Sequence, residues 1–137
     1  MERSCLYSIE PIGIGTINVE SLCSYISRLA DVHCVTVGIM THLIAPKVNK
    51  KYTKNMVFNV GIGFYKSSSA ISGHGNIADN LIEVSTFLTK RRDIRKTTLV
   101  NCRGIVPVRG LLKGSRHWCP SCFQADLENK QISFMKD

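Results

Sequence analysis

The stretch NVESLCSYISRLADVHCVTVGIMTHLIAP, residues 18–46, decides the fold class. Val19, Leu22, Ile26 and Leu29 recur at the three-to-four-residue spacing of one helix face, and Glu20, Ser24, Ser27 and Arg28 fall away from it. The spacing therefore predicts an amphipathic helix over residues 18–30, with Asn18 as an N-cap whose side-chain oxygen accepts orphan amide hydrogens. After a short connection at residues 31–35, Thr36 is placed to cap a second helix over residues 37–45. Pro46 ends it, because proline lacks the amide hydrogen and crowds the preceding turn. Two helices joined by a few residues make a helix-turn-helix-like region. In a DNA-reading unit the second helix presents its early polar positions to the major groove, which makes Thr36, Thr41 and His42 the candidates. The plainer alternative is a crossed helix pair with no DNA role, in which His42 is a surface histidine.

Outward from that pair the signals weaken and then return. Residues 47–75 have poor helical periodicity and include Gly61, Gly63, Gly73, Gly75 and the run Ser67 to Ser69, which reads as a long connection with a short strand at residues 56–64 as an option. Gly-Ile-Gly at positions 13–15 and 61–63 is not a nucleotide fingerprint, since neither copy has the lysine or the full glycine spacing that phosphate binding needs. A clearer helix starts with Asn76 as cap and Asp79 three residues on, and Ile77, Leu81, Val84 and Leu88 form its apolar stripe. Lys90 and Arg91 close it, where cations suit the negative end of the helix dipole. Residues 97–100 fit a short strand or a helical turn, and Pro107 and Gly110 make the next stretch turn-rich.

The chain thus reads as mainly α. Its segments are a helix-turn-helix-like region at residues 1–46, a long connection at 47–75, a helix plus basic segment at 76–116 and a partial zinc-knuckle segment at 117–137. With 137 residues, 44% hydrophobic and 20% charged, it suits an ordinary globular protein and not a disordered or fibrous one. There is no run of 18 apolar residues, and Glu2 and Arg3 precede a mixed stretch without the apolar core of a signal peptide. The expectation is a cytoplasmic protein with no membrane contact. In that compartment the six cysteines are reduced, and serve as small buried side chains or metal ligands.

The charge is unevenly placed. Residues 90–116 hold nine basic residues (Lys90, Arg91, Arg92, Arg95, Lys96, Arg103, Arg109, Lys113 and Arg116) against Asp93 alone, so this segment equals the whole surplus of +8. Lys47, Lys50, Lys51 and Lys54 form a second basic group. A basic stripe on an otherwise mildly acidic body suits a phosphate backbone, each neutralised phosphate releasing condensed counterions. Arg91, Arg92, Arg95, Lys96, Arg103, Arg109, Lys113 and Arg116 are therefore candidate DNA contacts. The alternative is a solvated basic face or a docking surface for an acidic protein.

Cys119-Pro-Ser-Cys122 has the spacing of a zinc knuckle, in which a tight turn sets two thiolates on one ion. A closed structural site takes four ligands, and the nearest further candidates, His117, Cys102 and His74, have no familiar second-knuckle spacing. A thioredoxin-like redox pair, suggested by Trp118, needs a buried strand before it and a long helix after it, whereas the preceding residues are basic and turn-rich. Zn2+ held by Cys119 and Cys122 is the preferred reading over redox chemistry or isolated structural cysteines.

The ordered set of segments resembles the N-terminal part of the TniQ/TnsD family of transposon target-selection proteins. The resemblance is carried by ESLCSYISRLA at 20–30 with HCVT at 33–36, ISGHG at 71–75 leading to FLT at 87–89, and TLV at 98–100 with RGLL at 109–112 before HWCPSC at 117–122. It implies a helix-turn-helix region followed by zinc-binding modules, acting without catalysis as an adaptor between a target and the transposon's AAA+ ATPase. The target is DNA or an RNA-guided complex, and Cys119 and Cys122 become the first zinc-ligand pair. Cys34 stands where the family usually has glycine in the inter-helix turn, and the chain ends before the further Cys-x-x-His and Cys-x-x-Cys ligands, as a truncated member does. No Walker, Gly-x-Ser-x-Gly or His-Glu-x-x-His pattern marks an enzyme. The rival class is a small helix-turn-helix transcription regulator, which would act as a homodimer on a palindrome.

Overall fold

The computed structural model describes residues 3–48, 62–107, 110–115 and 117–129. Helix α1 spans Leu22–Val32, and its N-cap is Ser21, whose side chain accepts from the Ser24 amide. Asn18 does not cap it. Residues 13–18 are drawn into a turn in which the Thr16 amide donates to Gly13 O and the Asn18 amide donates to Thr16 Oγ1. Gly13 at φ +72° is required there, since a Cβ would meet the Asn18 carbonyl oxygen at 2.4 Å. The expected polar face of α1 is also absent. Glu20, Ser21, Ser24 and Ser27 are all buried with the apolar stripe, and a strap formed by residues 3–20 is tied to the helix where Tyr25 Oη donates to Ile9 O and Arg28 to Glu10 O.

Cys34 ends α1 in the left-handed region at φ 54°, with its amide donating to Asp31 O and that of Val35 to Ala30 O. This is the arrangement that favours glycine at a helix C-terminus. Helix α2, Val37–Ile44, begins at once, and Thr36 caps it as expected by accepting from the Ile39 amide. A 3-10 turn at Ala45–Lys47 contains Pro46, and the axes before and after the α1–α2 junction differ by 105°, in the range of helix-turn-helix pairs.

Two five-residue helices, α3 at Ile62–Lys66 and α4 at Ser68–Ser72, lie where the sequence reads as a connection, and the end of the optional strand is helical. The other residues of that strand lie outside the described ones. Such short helices do not stand alone in water; Phe64 and Ile71, both buried, hold these two against the core. Helix α5 covers Asn76–Thr89 with the expected stripe buried, but its N-cap is Gly75, so Asn76 is its first residue. Lys90 closes it at φ 59°. Residues 97–100 are helical turn, not strand, within the 3-10 segments Asp93–Thr97 and Leu99–Cys102. Helix α6, Pro120–Glu128, comes last.

The core is one continuous cluster. Tyr25, Ile26 and Leu29 of α1 meet Met40 and Ile44 of α2, Ile71 of α4, Leu81 of α5 and Ile94. Each such aliphatic side chain contributes about 1.5–3 kcal/mol by leaving water. Among the described residues there is no strand and no single helix long and apolar enough to cross a membrane.

Candidate nucleic-acid interface

The basic segment begins at the C-terminal end of α5, and threonines and two apolar anchors give it its shape. Thr89 Oγ1 donates to Ser85 O at 2.7 Å, Thr97 Oγ1 to Ile94 O at 2.7 Å and Thr98 Oγ1 to Arg95 O at 2.9 Å. Ile94 and Val100 are buried, so the 3-10 turns are pinned to the core. With the inner side fixed in this way, Arg92, Arg95 and Lys96 are exposed. They lie three and four residues apart along one turn-helical surface, and none of them reaches a carboxylate among the described residues. Arg95 Nε donates to Asn101 Oδ1 at 2.9 Å, which steadies the guanidinium without neutralising it.

Two of the other candidate DNA contacts are spent inside the protein. Arg91 forms a two-pronged ion pair with Asp93, one prong being Nε to Oδ1 at 2.9 Å, and reaches Ser8 O on the strap. The guanidinium holds the Asp93 carboxyl below its usual range, and the hydrogen bond to Asp93 raises Arg91 in turn. Arg103 Nη2 donates to Asp79 Oδ2 at 2.6 Å, and its Nε to His74 O at 2.9 Å, tying the second 3-10 turn to the first turn of α5. Lys113 is exposed in residues 110–115, while Arg109 and Arg116 lie outside the described residues. Lys90 is not among the sequence candidates; its Nζ lies 4.8 Å from the centroid of the half-exposed Phe87 ring, beside this cluster.

The second helix does not present the expected polar reading surface. Thr41 is buried, and its hydroxyl donates to Gly38 O at 2.8 Å, so this candidate faces inward. The Thr36 hydroxyl is engaged as the helix cap. His42 is exposed, flanked by Ile39 and Leu43, which are 50% and 53% exposed. The outward positions of α2 are thus mainly apolar, a poor match to phosphate or base edges.

The Cys119–Cys122 pair sits at the start of α6, Cys119 at the N-cap and Pro120 just inside it, so a helix stands where a knuckle turn is expected. Both thiols are exposed, and His117 Nδ1 lies 2.7 Å from Ser115 O. Every cysteine and histidine of the chain falls within the described residues, and among those no group of three or more His, Cys, Asp or Glu could hold a metal. Among the described residues the pair thus offers two of the four donors that a closed structural zinc centre takes.

A pair that the sequence pattern does not announce ties residues 10–20 to α1. Glu20, fully buried, accepts from Arg28 Nε at 3.0 Å and Nη2 at 2.8 Å and from the Ile12 amide at 3.1 Å, while Arg28 Nη2 also donates to Glu10 O. The eight-residue spacing of the two charges gives some signal, but only the strap explains why both turn inward.

The family model described as TniQ matches residues 11–136, nearly the whole chain. No curated protein matches it.

Proposed function

The chain belongs to the TniQ family, and from that premise we propose that it is a non-catalytic target-selection adaptor of DNA transposition that holds target DNA by its backbone. The family implies the adaptor role; the observation that carries the DNA contact is the exposed set Arg92, Arg95 and Lys96 on turns anchored by Ile94 and Val100. Exposed cations on anchored turns, none of them in a salt bridge among the described residues, suit phosphate, whose neutralisation releases counterions whatever the base sequence. The contact positions the protein and leaves sequence choice to another component, either an RNA-guided complex or further protein segments. On this reading the remaining surface docks the AAA+ ATPase that recruits the transposase, and a homodimer is compatible with the arrangement. The transcription-regulator alternative finds less support, because Ile39 and Leu43 dominate the outward side of α2.

The test is binding to a random-sequence duplex as a function of salt. Each phosphate contact adds about 0.9 to the slope of log affinity against log salt, so replacing Arg92, Arg95 and Lys96 with alanine should lower the slope by roughly 2 to 3. Arg91→Ala and Arg103→Ala should act on stability instead. An unchanged slope in the triple variant refutes the assignment.

Zinc bound by Cys119 and Cys122 remains part of the family expectation. It would need two ligands beyond those grouped among the described residues, and no step of the proposal depends on it.

A further inference from the structure

The strap is held to the helices by several hydrogen bonds, and one of them differs in kind. The Leu6 amide donates to Leu88 O at 2.9 Å, Arg91 donates to Ser8 O, and Tyr25 Oη donates to Ile9 O at 3.1 Å. Each of these ends on a carbonyl oxygen, which stays an acceptor at any ordinary pH. The Tyr7 amide instead donates to Nε2 of His33 at 3.0 Å, and the Tyr7 ring stacks on the imidazole with centroids 4.4 Å apart and planes at 19°. A backbone N–H can only donate, so Nε2 must carry a lone pair and the ring proton must sit on Nδ1. A doubly protonated imidazole has no acceptor left.

We infer that His33 is a proton-gated latch for the strap: protonation at Nε2 releases the Tyr7 amide and loosens the chain between Leu6 and Ser8, while the attachments on either side persist. The ring stack does not oppose this, because an imidazolium against a tyrosine face gains a cation–π contact. Nor does the helix end, since His33 is the C-cap of α1 and the carbonyls there accommodate a cation. The other charged or titratable groups on the elements meeting at this point include Arg3, Cys5, Tyr7 and Glu10 on the strap, Arg28, Asp31 and Cys34 toward the end of α1, and Lys90, Arg91 and Asp93 after α5. Histidine as a residue type changes charge between about pH 5 and 8, and the other three, His42, His74 and His117, lie outside this contact. What loosens is the seat of Leu6, which is buried and whose amide donates to Leu88 O in the last turn of α5.

The experiment tracks the whole chain by NMR across about pH 8 to 5, reading the His33 ring and the Tyr7 and Leu6 amides together. Tyr7 protection, corrected for intrinsic exchange, is expected to fall about fivefold, the population change of one lost hydrogen bond. The fall should track the His33 titration curve, and Leu6 should keep its protection. His33→Gln supplies an amide oxygen that accepts at every pH and should flatten the Tyr7 response, with circular dichroism confirming that the variant folds. The inference is overturned if the wild-type Tyr7 amide stays protected while the His33 ring protonates, or if its response tracks a different group. The wild-type titration decides the matter even if the variant misfolds.

Discussion

Removing the Glu20 carboxylate should expose how much the fold depends on the strap. Glu20 is fully buried and accepts three hydrogen bonds, two from Arg28 and one from the Ile12 amide. Breaking a buried pair from one side leaves the other charge stranded and costs about 3–5 kcal/mol. Arg28 retains 17% of its side-chain exposure and also reaches Glu10 O, so water partly rescues it. Glu20→Ala is therefore expected near the lower limit, about 3 kcal/mol. Arg28→Ala strands the fully enclosed carboxylate and should cost about 4 kcal/mol by the same reasoning. In the double variant neither charge is stranded, so its loss should fall short of the sum of the two by about 2–3 kcal/mol. Urea unfolding monitored by far-UV circular dichroism measures all three, the slope with denaturant checking that the transition stays two-state. A domain of this size has about 5–15 kcal/mol to lose, so each single variant should remain folded in water but melt early. A Glu20→Ala loss below about 1 kcal/mol, or strict additivity of the single effects, would refute the view that this pair clamps the strap to α1.

Other consequences can be measured on the same protein. Burial pushes the Tyr25 phenol up to about 12 from an ordinary value of 10.0. The raised group stabilises the fold fully below the unfolded value and loses that contribution as pH rises to the folded one. Stability should therefore drop by about 1–3 kcal/mol between those values, and Tyr25→Phe should remove most of that drop in alkaline denaturation curves. Cys34→Gly relieves the strain of a left-handed residue, worth roughly 1 kcal/mol, but gains chain entropy on unfolding, so a net stabilisation of about 0.5 kcal/mol is expected by thermal melting. Cys34→Val should destabilise, and because Cys34 is exposed neither result can be put down to packing. With no third His, Cys, Asp or Glu grouped with Cys119 and Cys122 among the described residues, zinc should leave to a mild chelator without unfolding. One retained equivalent by metal analysis, or unfolding on chelation, would show that further ligands reach Cys119 and Cys122.

The three clearest sequence signals, the apolar stripes of α1 and α5 and the Thr36 cap of α2, are legible because they are local and periodic. The start of α1 is misplaced by sequence since Asn18 and Ser21 are both competent caps, and the turn that commits Asn18 depends on the Gly13 backbone. Helices α3 and α4 are invisible because IGFYK and SSAIS are too short to carry a stripe, and their helicity comes from seating Phe64 and Ile71. At the proposed interface, charge counting locates the basic segment but does not show which of its cations are paired within the chain. Arg103 is spent on Asp79, 24 positions away, a pairing that no local pattern announces. Thr41 looks available because a short helix of mixed residues does not reveal which side meets its neighbour.

The strap also bears on the order in which the chain acquires its shape. Ser8 waits for Arg91, which lies 83 positions further along, so on the ribosome this early segment emerges long before its partners exist. The α1–α2 pair can close from contacts within one short window, whereas Tyr25 stays half-dressed until α5 arrives. Topology of this kind places the long-range closure late, after the local helices have lowered the entropy of bringing its ends together. Assembly is thus completed when the segment made early folds back over helices made after it.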